Sequence, residues 1–479
     1  MASKPSRIRA KIVCTIGPSS QEAEVLTRMA EAGMDVARVN SGHTDLDHVS
    51  RTIETLRTVG ESVGRRIGVM LDLQGPRLRV GPIQGASVEL VVGQEFIIST
   101  DQKRGDAARV SVAYPDLPSD VKPGDRIFMD DGLIRVVVKE VKGPDIICEI
   151  TDGGTLLQGK GMNFPDTRLN LSSFTERDRR YLETGLKAGI DWVAQSFVRT
   201  PGDVWEVIDA IGSLGYSVPV MAKIEKGEGV ANIEEILEVA QGIMVARGDL
   251  GVELPAEEVP LIQKELILKS LRAALPVLTA TQMLESMVDK PRPTRAEASD
   301  VANAILDGTD GVMLSAETAI GHYPVQAVET MERIAAWAEQ SVDRGDVLEE
   351  RSKWEHRSPA DAIGYAACKI AADLKAKAIV TVTRAGYTAK LVARYRPEQQ
   401  IIAVSDNEAV VDSMSLVWGV KGLVAELDYE PAAMIKTVSA VCERAGLLNV
   451  GDLVVITGGF LDEEIGKTNM VHVHTVTSM

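Results

Sequence analysis

Charged and polar residues in this 479-residue chain collect where short apolar runs end. Arg38 and Asn40 close the run DVARVN, Asp72 lies in IGVMLDLQG, and Lys223 and Glu225 close VMAKIE. Asp249 ends IMVARGD, Thr281 and Gln282 lie in PVLTATQM, and Ser315 and Glu317 lie in GVMLSAE. Lys223 and Glu225 are two apart, so along a strand they share one face. A cation beside a carboxylate suits a metal-and-phosphate site, and it equally suits a plain salt bridge. Glu225 and Asp249 together could hold Mg²⁺ through two carboxylates, leaving positions for substrate oxygens and water.

The elements that must position these residues follow from pattern. With KIVCTIG from Lys11 and WVAQSF from Trp192 there are eight such runs. Most are continuously apolar, as in parallel strands covered on both faces. Helical patterns lie between several of them, such as EAEVLTRMAEAG and NIEEILEVAQG, with Gly33 and Gly242 expected as C-caps. Eight alternating units predict a (β/α)₈ TIM barrel, whose ligands sit at the strand C-termini. About a hundred residues after the third run break this rhythm. VELVVGQEFIIST, DRIFMDDGLIRVVVKEV and DIICEITDGG alternate between turns at Pro123-Gly124, Asp131-Gly132 and Asp152-Gly153-Gly154. This reads as an antiparallel β lid inserted at the ligand-binding face. The expected domains are a barrel over 1–77 and 166–348, the lid over 78–165, and a C-terminal α/β domain over 349–479. DRGDVLEERSKWEHRSP, from Asp343, reads as a linker or exposed connection. After it come helix SPADAIGYAACKIAADL, strand AIVTVT, helix AGYTAKLVARY and strands IIAVS and LVVITGG.

Composition limits the partners. Five Trp, eight Tyr and six Phe leave the cores to aliphatic residues and Met. A net charge of −17 argues against nucleic acid or an anionic membrane as main partner. Four scattered cysteines, Cys14, Cys148, Cys368 and Cys442, make a disulfide framework or zinc site unexpected and fit a reducing cytoplasm. No signal peptide or membrane span is expected. Taken alone, His43 is read as structural or exposed, Gly248 as a site of close backbone approach to a ligand, and Met283 and Met287 as core.

Longer motifs carry a family resemblance. MVARGDLGVELPAEEVP, TATQMLESMVDKPRPTRAEASDVANAILDGTDGVMLSAETA, MAKIE and LDLQGPRLRVG resemble pyruvate kinase, and the likeness runs along essentially the whole chain. It implies phosphoryl transfer from phosphoenolpyruvate to ADP, giving pyruvate and ATP, with Mg²⁺ or Mn²⁺. Glu225 and Asp249 are then the metal carboxylates, and Lys223 stabilises the phosphoryl group in flight. The Gly248 backbone, Asp249 and Thr281 contact substrate. A proton reaches the enolate carbon near Thr281, through Ser315 and water. Arg38 and Arg79 bind phosphate, while Asn40, Ser41, Gly42, His43 and Lys160 are nucleotide contacts. The resemblance also implies a homotetramer and a loop at Thr383, Arg384, Gly386 and Thr388 that takes a phosphorylated effector. As a motif alone, that loop reads first as an ordinary capped βα turn and only second as an anion nest. Asp462, Glu463 and Glu464 nearby would disfavour a bisphosphate.

Two departures from the family pattern concern K⁺. Gly42 stands where a serine usually helps bind K⁺, and Arg77 where many K⁺-dependent members carry glutamate. A guanidinium there supplies positive charge and repels a second cation. K⁺ is therefore expected not to be required, with Asn40, Asp72 and the Leu73 carbonyl left as a vestigial site. The rivals are a barrel lyase or aldolase acting through a Mg²⁺-stabilised enolate, and a non-catalytic relative that binds metabolites.

Overall fold

The computed structural model describes residues 8–355, 358–428, 430–459 and 468–477. Eight parallel strands close into a barrel: Lys11–Ile16, Val36–Asn40, Gly68–Leu73, Trp192–Gln195, Val220–Ile224, Gly242–Ala246, Val277–Ala280 and Gly311–Leu314. The first pairs with the last, Lys11 opposite Gly311, so no edge remains. All eight coincide with the apolar runs. With few aromatics available, the barrel interior is filled by Met70, Met221, Met244 and Met313 around one large ring, Trp192. Leu416, from the C-terminal domain, plugs the floor of this core, and the Trp192 indole N–H donates to the Ser413 carbonyl (3.1 Å).

The insertion lies between the third and fourth barrel strands. A six-stranded sheet and a two-stranded ladder, Gly154–Leu157 on Ser87–Leu90, enclose a separate core around Phe96, Ile127, Val136, Cys148 and Phe164. Asp130, Asp131 and Gly132 all take positive φ in the turn from which Asp130 pairs with Lys160 and Asp131 with Arg77. The return segment leads into helix Glu176–Ala188, started by a reciprocal capping box between Thr175 and Asp178. Asp178 also accepts the backbone N–H groups of Gln74 and Gly75 (3.0 and 3.3 Å), which fixes the loop leaving the third strand. Gly75 has φ +67, and a Cβ there would meet the Phe197 ring at 2.7 Å.

The C-terminal domain is a five-stranded sheet in the order Val420–Val424, Gln400–Ser405, Ala378–Val382, Leu453–Gly458, Met470–Thr475, the last antiparallel. Both outer strands, and helix Pro431–Arg444, go beyond the elements expected from sequence. One expectation is corrected and another sharpened. Gly33 caps its helix, but Gly242 opens the sixth strand while the preceding helix ends at Val239 with Ala240 as its cap. The stretch from Asp343 is largely exposed, as read, but it is helical rather than a plain linker: Asp343 caps helix Arg344–Arg351, Leu348 is buried, and the Arg351 guanidinium packs over Trp354.

Candidate active site

At the barrel mouth the strand-end residues form one connected network. The Lys223 ammonium lies 3.1 Å from Asp72 Oδ1, 3.0 Å from Glu225 Oε1 and 2.5 Å from Ser196 Oγ. Arg38 Nε donates to Asp72 Oδ2 (2.6 Å) and its Nη1 to Thr15 Oγ1 (2.9 Å). Thus the spacing-based choice between ligand site and salt bridge resolves into contact: Lys223 and Glu225 are an ion pair, and they share it with Asp72. All of these groups are buried or nearly so. Burial works against charge at Asp72, yet Arg38 and Lys223 outweigh it and hold the carboxyl below its usual range. Burial also disfavours the Lys223 ammonium, but Asp72 and Glu225 lift it above an ordinary lysine. Glu225 moves the other way. Its burial, opposed by Lys223 and reinforced by Asp249, raises its carboxyl above the usual glutamate value.

That raised carboxyl bears on a metal. Two acidic groups facing each other in a buried mouth favour a cation between them. Among the described residues no cluster of three His, Cys, Asp or Glu could ligate a metal without help. The donor set therefore fits a hard cation that keeps water and takes substrate oxygens, as Mg²⁺ does. Glu225 Oε2 now accepts the Phe197 N–H (2.8 Å).

Opposite this network the backbone is strained. Thr281 and Gln282 adopt φ +70 and +55, and Phe197 φ +58. Such conformations each cost about 1–3 kcal/mol and persist only when their surroundings fix them. Arg247 does much of the fixing, donating to the Thr281 carbonyl (2.8 Å) while pairing with Asp300 (2.6 Å). Fully buried Glu317 accepts the backbone N–H groups of Leu284 (3.0 Å) and Ser315 (2.6 Å), tying the seventh strand's loop to the eighth's. Thr281 Oγ1 accepts the Gly248 N–H at 2.7 Å, so the close approach at Gly248 is to Thr281. Ser315 Oγ is buried with no hydrogen bond among the described residues. Met283 and Met287 are fully buried.

The remaining candidates lie toward the lid. A cleft opens between lid and barrel, lined by Arg77, Leu78, Phe197, Lys226 and Asp249 among others. Arg79 bridges to Gly161 and donates to the Gly159 carbonyl (2.9 Å), and Lys160 pairs with Asp130 (2.7 Å). Burial, then Arg77 and Arg177, lower the Arg79 pKa, which marks a local surplus of positive charge. Asn40 Oδ1 caps the turn Ser41–His43 by accepting the Gly42 N–H (2.9 Å). Ser41 Oγ is buried with no hydrogen bond among the described residues, and the Ser41 carbonyl accepts Arg177 (2.8 Å). The side chain of His43 lies outside the described residues. In the C-terminal domain, Gly386 takes φ +79 and Thr388 Oγ1 lies 2.7 Å from Thr468 Oγ1. Thr383 is buried and Arg384 exposed, while Asp462, Glu463 and Glu464 lie outside the described residues.

Sequence reasoning did not single out Ser196, Phe197 and Arg177, or Arg247 as a support. Ser196 and Phe197 directly follow the fourth strand in the run WVAQSF, so position at a strand end was an available signal.

Known proteins agree with this geometry. The model of the pyruvate kinase barrel domain matches residues 7–328, and that of the pyruvate kinase alpha/beta domain residues 361–474. Curated pyruvate kinases from Geobacillus stearothermophilus and Bacillus licheniformis are 46% and 44% identical over 474 and 471 residues. These alignments cover 98% of this chain and 81% and 80% of the relatives. A crystal structure of a pyruvate kinase from Cryptosporidium parvum superposes with a TM-score of 0.91 at 35% identity, over 98% of this chain and 96% of that one. A closed parallel barrel with a lid, a C-terminal α/β domain and a buried lysine–carboxylate mouth thus place this chain in the pyruvate kinase family of phosphotransferases.

Proposed function

We propose that the enzyme moves the phosphoryl group of phosphoenolpyruvate to ADP at the mouth formed by Arg38, Asp72, Lys223, Glu225, Asp249 and Thr281. The observation that carries this is the Lys223 ammonium, fixed by Asp72, Ser196 and Glu225 below the lid cleft. Phosphoryl transfer needs position and charge neutralisation more than covalent help, and a clamped, fully charged ammonium supplies both. Arg38, braced by Asp72 and Thr15, and Arg79 add positive charge for phosphate oxygens. Glu225 and Asp249 would hold Mg²⁺, which supplies Lewis-acid polarisation of substrate oxygens. Thr281, held in its strained conformation by Arg247, and Ser315, with its free hydroxyl, line the side from which a proton reaches the enolate carbon. Asn40, Ser41, Gly42, His43 and Lys160 form the nucleotide side.

Independence from K⁺ belongs to the same proposal. Every donor of the vestigial site is engaged: Asp72 by Arg38 and Lys223, the Leu73 carbonyl by Ser196 (2.7 Å), Asn40 by Gly42. A Cβ at Gly42 would lie 3.1 Å from Asn40 Oδ1, so a serine there would crowd that donor. Arg77 sits beside Gly161, paired with Asp131 at 3.6 Å. We also assign to the loop Thr383–Thr388 a phosphorylated effector, and to the chain a tetramer in the cytoplasm. Exposed Ile320 and Trp337 give the subunit contacts apolar surface, and all four cysteines are free and buried. One coupled assay tests the reading: phosphoenolpyruvate, ADP and Mg²⁺ in tetramethylammonium salts, then with KCl. Turnover without K⁺ is expected, and a large activation by KCl would defeat K⁺ independence. Arg77→Glu should create a K⁺ activation of about tenfold or more.

A further inference from the structure

We infer that Glu253 is a positioning residue that ties the lid to both carboxylates of the proposed metal site. The inference rests on the reading of Glu225 and Asp249 as the pair that holds Mg²⁺. It adds what keeps them in register with each other and with the lid.

Glu253 ends the short helix Arg247–Glu253, which directly follows the sixth barrel strand. Asp249 lies four residues before it, so the two share one face of the helix, a turn apart. Glu253 is only 8% exposed, and a buried carboxylate is costly unless it is paired and hydrogen-bonded. Two partners meet its Oε1. The Lys226 ammonium lies at 3.3 Å, and the Asn163 side-chain amide donates to it at 2.9 Å. Lys226 directly follows Glu225 in the chain, so this ion pair links the end of the fifth barrel strand to the helix that carries Asp249.

Asn163 belongs to the lid. It lies on strand Met162–Asn163, which pairs with Arg126–Met129 of the six-stranded sheet. One carboxylate oxygen therefore joins three pieces: the lid sheet, the segment after Glu225 and the helix of Asp249. The lid turn meets the same helix one residue earlier, where a Cβ on Gly132 would lie 3.6 Å from Val252 Cγ1. Asn163, Lys226 and Asp249 all line the cleft between lid and barrel. A further ion pair beside that cleft, Arg168 with Glu228 (3.4 Å), has its arginine in solvent, where such pairs contribute little.

Groups that orient metal ligands from behind typically change metal affinity or activity by about 10- to 100-fold when removed. Glu253 acts in this way through the backbone segments that carry the ligands. Because Asn163 loads the same oxygen, a docked lid and a correctly spaced carboxylate pair favour one another.

The test is the Mn²⁺ affinity of the full chain without substrates, read from the paramagnetic resonance of free Mn²⁺, beside steady-state kinetics. Glu253→Ala should raise the Mn²⁺ dissociation constant about tenfold and lower kcat by about as much. Glu253→Gln keeps an acceptor oxygen for Asn163 and Lys226, and should recover most of both. A residue that only held the fold together would lower Tm and leave Mn²⁺ affinity where it was. Asn163→Ala cuts the lid arm alone and removes no buried charge. It should raise the constant about threefold, a smaller step in the same direction. Glu225→Gln is the reference and should lose Mn²⁺ affinity outright. Loss in Glu225→Gln with unchanged affinity in Glu253→Ala would overturn the role of Glu253 alone. Unchanged affinity in both would overturn the metal reading and this inference with it. Unchanged Mn²⁺ affinity in Asn163→Ala would overturn the link to the lid.

Discussion

The two ends of this barrel pair buried arginines with carboxylates alike, but they treat their lysines differently. At the mouth, Lys223 and Arg38 meet carboxylates: Asp72 and Glu225 are within 3.1 Å of a cationic nitrogen. At the floor, Arg394 and Arg396 pair with Asp361 (3.4 Å) and Asp310 (3.2 Å) and also rest on helix-end carbonyls, while Lys390 makes no hydrogen bond or ion pair among the described residues. The mouth's pairs hold charge in fixed places where a reaction develops charge, which is what electrostatic catalysis requires. The floor's charges sit between two structural units, and there Ala274 and Arg396 also take positive φ (+55 and +51).

Breaking the pairs should separate the two ends. Glu225→Gln removes one proposed metal carboxylate and one partner of Lys223, and should cut turnover on the order of 10³-fold, with a raised Mg²⁺ requirement. Steady-state kinetics over a Mg²⁺ titration checks it, and unchanged turnover would remove Glu225 from the chemistry. Asp310→Asn at the floor should instead act on stability. It strands Arg396 without a counter-charge, and a loss on the order of 3 kcal/mol in urea unfolding is expected while the mouth stays intact. A smaller effect comes from pH. Burial, opposed by Asp310, lowers Lys390 to about 8, so between that pH and the unfolded lysine value the unfolded chain binds a proton the native one does not. In that window this group's contribution to stability rises with pH, and below about 8 its penalty is fully present. Lys390→Met should therefore raise Tm at neutral pH, with the advantage fading toward pH 10. An advantage independent of pH would contradict that assignment.

The contrast also explains what could be read from the sequence. Strand ends of the barrel were legible because buried parallel strands are continuous apolar runs, and polar residues at their ends stand out. Lys223 and Glu225 were paired by spacing alone. Ser196 was not, because its part depends on meeting Lys223 and the Leu73 carbonyl across neighbouring strands. Arg247 gave no local sign of supporting Thr281, 34 residues away. Gly242 looked like a helix cap because Val239 and Ala240, three and two residues before it, end the helix without a glycine. The edge strand Met470–Thr475 alternates half-exposed residues, including His472 and His474, and lacks the apolar run that marked the inner strands. The floor was the least legible region. The stretch from Asp343 carries so much charge that it reads as solvent-exposed, and only the docked C-terminal domain shows where those arginines go.

The central claim is that the Lys223 ammonium serves the phosphoryl group and not the proton. Lys223→Met, followed by two assays on one preparation, tests it most directly: phosphoryl transfer from phosphoenolpyruvate to ADP, and protonation of enolpyruvate to pyruvate. The account predicts loss of transfer on the order of 10³-fold or more, with protonation retained. Normal phosphoryl transfer in that variant, or equal loss of both reactions in a folded protein, would contradict it.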